Sequence, residues 1–319
     1  MKRMLVQLGV PLLVLCVLFL LLAYPSDQSL RTEQPVELSV ILRETDLSAW
    51  TNLRQGMEQA ALDLNAQLRF LTPTRSNDAA QQAELLKREA EGGAGAAVLI
   101  PADRGVLAST VSALSGTLPV VSLETDMTED GAVCFVGMDN RVLGRTLGEA
   151  VLNGVSEGGT AVLLNSAPGD NAVTQRLETA RIVLETAGRT VLLCQPEEEQ
   201  TAAQALEELL AAVDAGAVAA FEASALEEAA QVRTAQQERQ PLLYGTGATT
   251  GVAAGLERGK ITATAAKNEF AAGYLAVAAA VESAKNQEGA DSQILPFFMV
   301  RRENMYDPDY QKLLFPVTQ

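Results

Sequence analysis

Residues 36–71 read VELSVILRETDLSAWTNLRQGMEQAALDLNAQLRFL. A mostly apolar run, VELSVIL from Val36, ends in the polar residues Arg43-Glu44-Thr45-Asp46. An amphipathic stretch from Trp50 to Leu64 follows, and then a second apolar run, LRFL from Leu68. Short apolar runs separated by a helical pattern mark parallel strands joined by helical crossovers, in a sheet covered on both faces.

Outward from this unit the pattern repeats. The first series continues with AAVLIP from Ala96, LPVVSL from Leu118 and VCFVG from Val133. A second series holds TAVLLN from Thr160, TVLLCQ from Thr190, AVAAF from Ala217, PLLYG from Pro241 and ITATAA from Ile261. Helical patterns lie between the runs, for example at Ala79–Glu91, Leu143–Val155 and Thr174–Ala187. The Ala-rich stretches Ala202–Val213 and Ala271–Lys285 read as helices packed on a sheet. The prediction is an α/β chain of two doubly wound parallel-sheet lobes, with right-handed crossovers.

Such sheets hold ligands outside the carboxyl ends of their strands. Charged residues cluster there: Arg43-Glu44-Thr45-Asp46 after the first run, Glu124-Thr125-Asp126 after the fourth, Glu222 after the eighth, and Lys267-Asn268-Glu269 after the tenth. These positions predict a polar ligand.

The chain begins Met1-Lys2-Arg3 and runs from Met4 to Tyr24 with Gln7 as its only strongly polar residue. That length suffices to cross a bilayer core, and the basic start directs the remainder outward. A cleaved signal peptide and an uncleaved anchor both fit. No Ala-x-Ala site follows, and Cys16 is preceded by Leu15, so the anchor is the favoured expectation. Residues 26–35 read as a linker.

Composition excludes several classes. A formal charge of −16 repels nucleic acid. The absence of histidine rules out Ser-His-Asp and Cys-His catalysis and removes the commonest nitrogen ligand for zinc. There is no phosphate loop or nucleophile elbow, so no catalytic activity and no cofactor are expected. Glu197-Glu198-Glu199 reads as a solvated turn, not a Ca²⁺ loop, because ligands at alternating positions are missing. Cys134 and Cys194 sit in apolar runs and read as buried free thiols.

Six segments in order resemble the ribose-type (type I) periplasmic sugar-binding proteins. They are VELSVILRETDLSAWTNLRQGMEQAALDL from Val36, AAVLIPAD from Ala96, LPVVSLETD from Leu118, FVGMDNRVLGRTLGEAV from Phe135, TQRLETA from Thr174 and GLERGKITATAAKNEFAAGYLAV from Gly255. The resemblance spans roughly residues 36–315. It implies a first lobe of residues 36–138 plus 268–294 and a second of 139–267 plus 295–319, joined by a three-crossing hinge that closes on ligand. Asp139, Asn140 and Asn268 would sit at the hinge.

The resemblance also implies site residues. Trp50 would stack on a sugar, or serve as a core residue at a helix start. Asp46 would contact ligand, or cap that helix. Glu124 would accept hydroxyl hydrogen bonds, or stand as a solvated charge. Arg176 would donate a fork of hydrogen bonds to ligand, or pair on the surface with Glu178 or Glu185. Glu222, Lys267 and Glu44 complete the candidate set. Glu222, Lys267 and Gly247 depart from the family's usual residues, as does Glu124-Thr125 where Asp-Arg is common. A simple ribose or galactose site is thereby put in doubt. The implied role is an extracytoplasmic, monomeric binding protein that delivers a sugar-like solute to an ABC permease. The alternative is an anchored sensor that presents its closed form to a histidine kinase. A cytoplasmic repressor of the same core would need a helix-turn-helix at the front, where this chain has the apolar segment.

Overall fold

The computed structural model describes residues 34–45, 50–197, 199–232, 240–286 and 290–315. The expectations for the apolar leader, for Asp46 and for Glu198 lie outside them. Among the described residues no helix is long and apolar enough to cross a membrane.

The chain alternates strand and helix. The first series runs β1 (Val36–Ile41), α1 (Thr51–Leu64), β2 (Ala66–Leu71), α2 (Ala79–Glu91), β3 (Ala96–Leu99), α3 (Arg104–Leu114), β4 (Val120–Leu123) and β5 (Cys134–Gly137). The second runs α4 (Asn140–Leu152), β6 (Thr160–Leu164), α5 (Asn171–Thr186), β7 (Thr190–Cys194), α6 (Ala202–Ala212), β8 (Ala217–Ala220), α7 (Ala223–Ala229), β9 (Leu242–Thr246), α8 (Thr250–Glu257) and β10 (Ala263–Lys267). Then follow α9 (Glu269–Asn286), β11 (Gln293–Ile294), β12 (Phe297–Val300) and α10 (Pro308–Leu314).

Two six-stranded sheets result, ordered β11-β5-β4-β3-β1-β2 and β12-β10-β9-β8-β6-β7. The core of each is parallel and doubly wound, with order reversal between β1 and β3 and between β6 and β8. One pairing is antiparallel: β12 against β10. The apolar-run pattern does not foresee β11 and β12, because β11 has only two residues and only Val300 of β12 is fully buried.

Each sheet is buried on both faces. Leu38, Val40 and Leu42 of β1 and its end pack with Leu53 and Met57 of α1 and with Ala276 and Val277 of α9. Ile41 points the other way and joins Leu86 of α2 and Leu107 of α3. Period-two alternation thus feeds two apolar layers, and the run carries few polar residues. The second lobe is layered alike, with α4 and α5 on one face and α6, α7 and α8 on the other. Cys134 and Cys194 are buried free thiols.

Helix starts correct the periodic reading. The apolar period begins at Leu143 and Thr174, yet α4 and α5 begin three residues earlier. In each case an aspartate caps the N-terminus. Asp139 accepts from the amides of Arg141 and Val142, and Asp170 from those of Ala172 and Val173.

Helices α4 and α5 cross at Gly144. A Cβ there would lie 2.2 Å from the carbonyl oxygen of Arg176, so only glycine permits this approach. We predict that Gly144→Ala costs about 1–3 kcal/mol through overpacking. Urea unfolding checks this; unchanged stability would mean the two helices are not held together at this point.

Candidate functional site

The strand tips of the two sheets border one cavity of about 300 Å³. That volume is at the low end for small-molecule sites. Its lining includes Arg43, Glu44, Trp50, Glu124 and Glu269 beside the first sheet. Asp170, Arg176, Glu222 and Lys267 line it beside the second, and Leu314 and Phe315 at the end of α10 complete a wall. Of the residues expected from sequence, Glu44, Trp50, Glu124, Arg176, Glu222 and Lys267 are therefore brought together, and Asp46 lies outside the described residues.

Two charge clusters cross from sheet to sheet with opposite polarity. In the first, the cation comes from the first lobe. Arg43 follows β1, and its Nη2 donates to Glu222 Oε1 beyond β8. Its Nη1 lies 3.2 Å from Asp170 Oδ2, and Glu44 Oε1 is 3.5 Å from Nη2. Ser166 Oγ donates to the other Glu222 oxygen. Glu222 occupies the N-cap position of α7 without capping it, because its side chain is spent on Arg43 and Ser166.

In the second cluster, the anion comes from the first lobe. Glu124 follows β4. Arg176 Nη2 of α5 donates to its Oε2 at 2.9 Å, and Lys267 Nζ, on the last residue of β10, lies 2.5 Å from its Oε1. Lys267 also donates to Glu269 Oε1 at 2.7 Å. Asn140 joins the parts: its Nδ2 donates to the Glu124 carbonyl at 3.0 Å, and its Oδ1 accepts from Arg176 Nε at 2.7 Å. The Glu124 backbone is left-handed, with φ of 69°. Such strain in a non-glycine residue is sustained only where its surroundings fix it.

Several sequence expectations change here. Arg176 does not pair on the surface; Arg181, one turn further along α5, bonds Glu178 and Glu185 instead. Glu124 is not a solvated charge, since its side chain is only 10% exposed. Trp50 packs against the first-lobe core and also lines the cavity. The Arg43 guanidinium stands 5.9 Å from its ring centre, at cation–π distance. Asn140 is the first residue of α4 and is tied into the cleft network. Asn268 accepts from the amide of Ala271 at the start of α9.

Arg43, Asp170 and Glu269 were not among the candidates. Arg43 and Glu269 stand in the strand-tip clusters that the sequence showed, but the family resemblance did not single them out. Asp170 has only a capping signature. Gln82, inside α2, also escaped notice. Its amide donates to the carbonyls of Leu42 and Ile100 and accepts from Ala102, which clamps the loops after β1 and β3 where Arg43 emerges.

Electrostatics follow from burial and pairing. Burial pushes the Glu124 carboxyl up, but Lys267 and then Arg176 outweigh it, and the value falls to about 2. Glu222 is lowered as well: burial opposes, and Arg43 and Ser166 prevail. Burial raises Asp170 and Glu269. For Asp170, Arg43 offsets this and Glu222 adds to it; for Glu269, Lys267 offsets it and Glu124 adds to it. Among the described residues no group of three or more acidic or thiol side chains could hold a metal.

Carboxyls lowered in the closed form stabilise it fully above their ordinary value and cease to do so as pH falls through the lowered one. Glu124 therefore weakens the pairing across the cleft as pH falls from the ordinary carboxyl range toward about 2, and Glu222, lowered as well, acts in the same sense. The raised carboxyls of Asp170 and Glu269 act in the opposite sense. Trp50 is the only tryptophan. We predict that its fluorescence shifts in that acid window, and that Glu124→Gln reduces the change. A flat titration in both proteins would overturn this account.

Comparisons place the fold. A family model described as "Periplasmic binding protein domain" matches residues 38–288. No curated protein sequence matches the chain. An ABC transporter solute-binding protein from Agrobacterium vitis with bound D-fucose superposes with a TM-score of 0.79 at 18% identity, covering 88% of this chain and 100% of its own. One from Bacillus halodurans with bound myo-inositol gives 0.75 at 20%, covering 88% and 98%. A chain of the XylFII–LytSN complex gives 0.75 at 16%, covering 85% and 98%. With the paired doubly wound sheets and the cavity at their strand tips, the match over most of the length is decisive: this chain belongs to the type I periplasmic binding protein family.

Proposed function

We propose that the protein binds a small polyhydroxylated molecule, a sugar or cyclitol, between its lobes and hands it to an ABC importer outside the cytoplasm. One observation carries the reading. Three buried polar atoms on cavity-lining residues have no hydrogen-bond partner among the described residues: the donors Arg43 Nε and Trp50 Nε1, and the carboxylate oxygen Glu269 Oε2. Glu124 Oε1 is ion-paired with Lys267 Nζ. Unpartnered donors and acceptors on one small cavity ask for groups that both accept and donate. Hydroxyls do both.

Burying such polar atoms without partners costs about 1–3 kcal/mol each, so a ligand that completes them gains affinity without new apolar area. Trp50 offers a rigid edge and face to a ring, and Arg176 and Lys267 hold Glu124 in place. The D-fucose and myo-inositol held by the two solute-binding neighbours are of this chemical class. Both neighbours are ABC transporter solute-binding proteins, which favours delivery to an importer over presentation to a kinase. The apolar stretch from Met4 to Tyr24 suits export, which agrees with an extracytoplasmic site of action.

A thermal-shift screen of pentoses, hexoses and cyclitols tests the proposal, because ligand binding to the folded state raises Tm. At least one member is expected to raise Tm by several degrees. Trp50→Ala and Arg176→Ala should each abolish that shift. No response across the whole panel would overturn the polyhydroxylated reading. An undiminished shift in both variants would remove these two residues from the site.

A further inference from the structure

Among the described residues two aromatic rings line the cavity, Trp50 and Phe315. Trp50 stands at the entrance to α1 in the first lobe. Phe315 follows α10, and a strand-tip rule does not find it. Its route explains its place. β12 pairs antiparallel with β10, with Phe297 opposite Lys267 and Val300 opposite Thr264, so the chain leaves the cavity and runs toward the strand starts. The Arg301 amide then donates to Asn304 Oδ1 at 2.7 Å and the Asp307 amide to the Asn304 carbonyl at 3.0 Å, which turns the chain back. Pro308 is pre-set for the first turn of α10. The four residues of β12 and the seven of α10 each cover about 10 Å at their usual rise. Outward and return lengths match, and α10 ends level with the strand tips.

Leu313 and Leu314 are buried in the apolar layer that holds Val252 and Leu256 of α8. Phe315 packs against the same layer but is only half-buried. Its ring lies parallel to that of the exposed Tyr306, with centres 6.4 Å apart, and the Tyr306 hydroxyl donates to Glu257 Oε1 of α8 at 2.8 Å. The Phe315 amide donates to the Gln311 carbonyl at 2.8 Å. Ring and backbone are thus braced. Apart from Leu314, the rest of the second-lobe lining is charged, hydroxylated or small. Phe315 gives that wall its one rigid apolar surface among the described residues.

We infer that Phe315 is a specificity-determining contact: its ring covers the C–H face of a cyclic ligand from the second-lobe side, so α10 belongs to the binding site. This rests on the polyhydroxylated reading above and deepens it, because such a contact selects rings over open chains. A pyranose or cyclitol with mainly equatorial hydroxyls keeps an apolar C–H face, and its hydroxyls point sideways toward polar lining. A flat apolar side chain meets that face and demands no hydrogen bond. An open-chain polyol turns hydroxyls to every side. Laid against Phe315, it buries some of them without partners, which is costly. It also loses torsional freedom that a ring has already given up.

Calorimetry with ring and open-chain partners tests the inference: glucose and myo-inositol against glucitol, galactose against galactitol, and arabinose against arabinitol. At least one ring compound should bind tenfold or more tighter than its open-chain partner. In Phe315→Ala that ratio should fall toward one, chiefly by loss of ring binding. Phe315→Leu, closer in volume but not flat, provides the same reading should Phe315→Ala fail to fold. A merely structural role would weaken ring and open-chain binding alike and leave the ratio unchanged, and that outcome overturns the inference. Equal or tighter binding of the open-chain members by the unaltered protein also overturns it and leaves the polyhydroxylated reading standing. Absence of binding by every member of the panel overturns both readings.

Discussion

Each lobe carries charges at its strand tips that pair with charges of the other lobe. Arg43 finds Glu222 and Asp170 across the cleft, and Glu124 finds Arg176 and Lys267. Buried ion pairs are costly to desolvate and still costlier to break once buried. Any arrangement that separated the two sets of strand tips would exchange these pairs for hydrated charges. The two clusters have opposite polarity. Such an arrangement favours one alignment of the lobes and penalises a slip that would set like charges together.

Parallel topology makes this arrangement possible. A doubly wound sheet sends its strand ends in one direction and leaves a crevice where the order reverses. Arg43 and Glu222 leave their sheets at those reversals, after β1 and β8. Gln82 fixes the loops on one side by bridging the backbone after β1 and β3. On the other, the close crossing at Gly144 fixes the helix that carries Arg176. Neither residue lines the cavity, and each determines where a lining side chain stands.

The closed cleft is well paired but not complete. Its protein–protein ion pairs consume most of the polar lining, and what remains is a small set of atoms with a definite chemical demand. Specificity in such a site lies in the remainder. A partner that meets the unpartnered atoms gains, whereas one that competes with Arg43 or Lys267 for their carboxylates must displace a bond already made.

The sequence by itself determined the two lobes, the alternation of strand and helix, and the strand-tip positions of Glu44, Glu124 and Glu222. These follow from local periodicity and from a topological rule that needs no coordinates. The capped starts of α4 and α5 fell three residues before the apolar period because a cap is set by one side chain, not by a repeat. Only the tertiary structure decided which charge meets which. Arg176 and Glu124 stand 52 residues apart, and Arg43 and Glu222 stand 179 apart. No local pattern encodes such a pairing. It depends on two sheets being brought tip to tip, and burial then turns ordinary charged residues into obligatory partners.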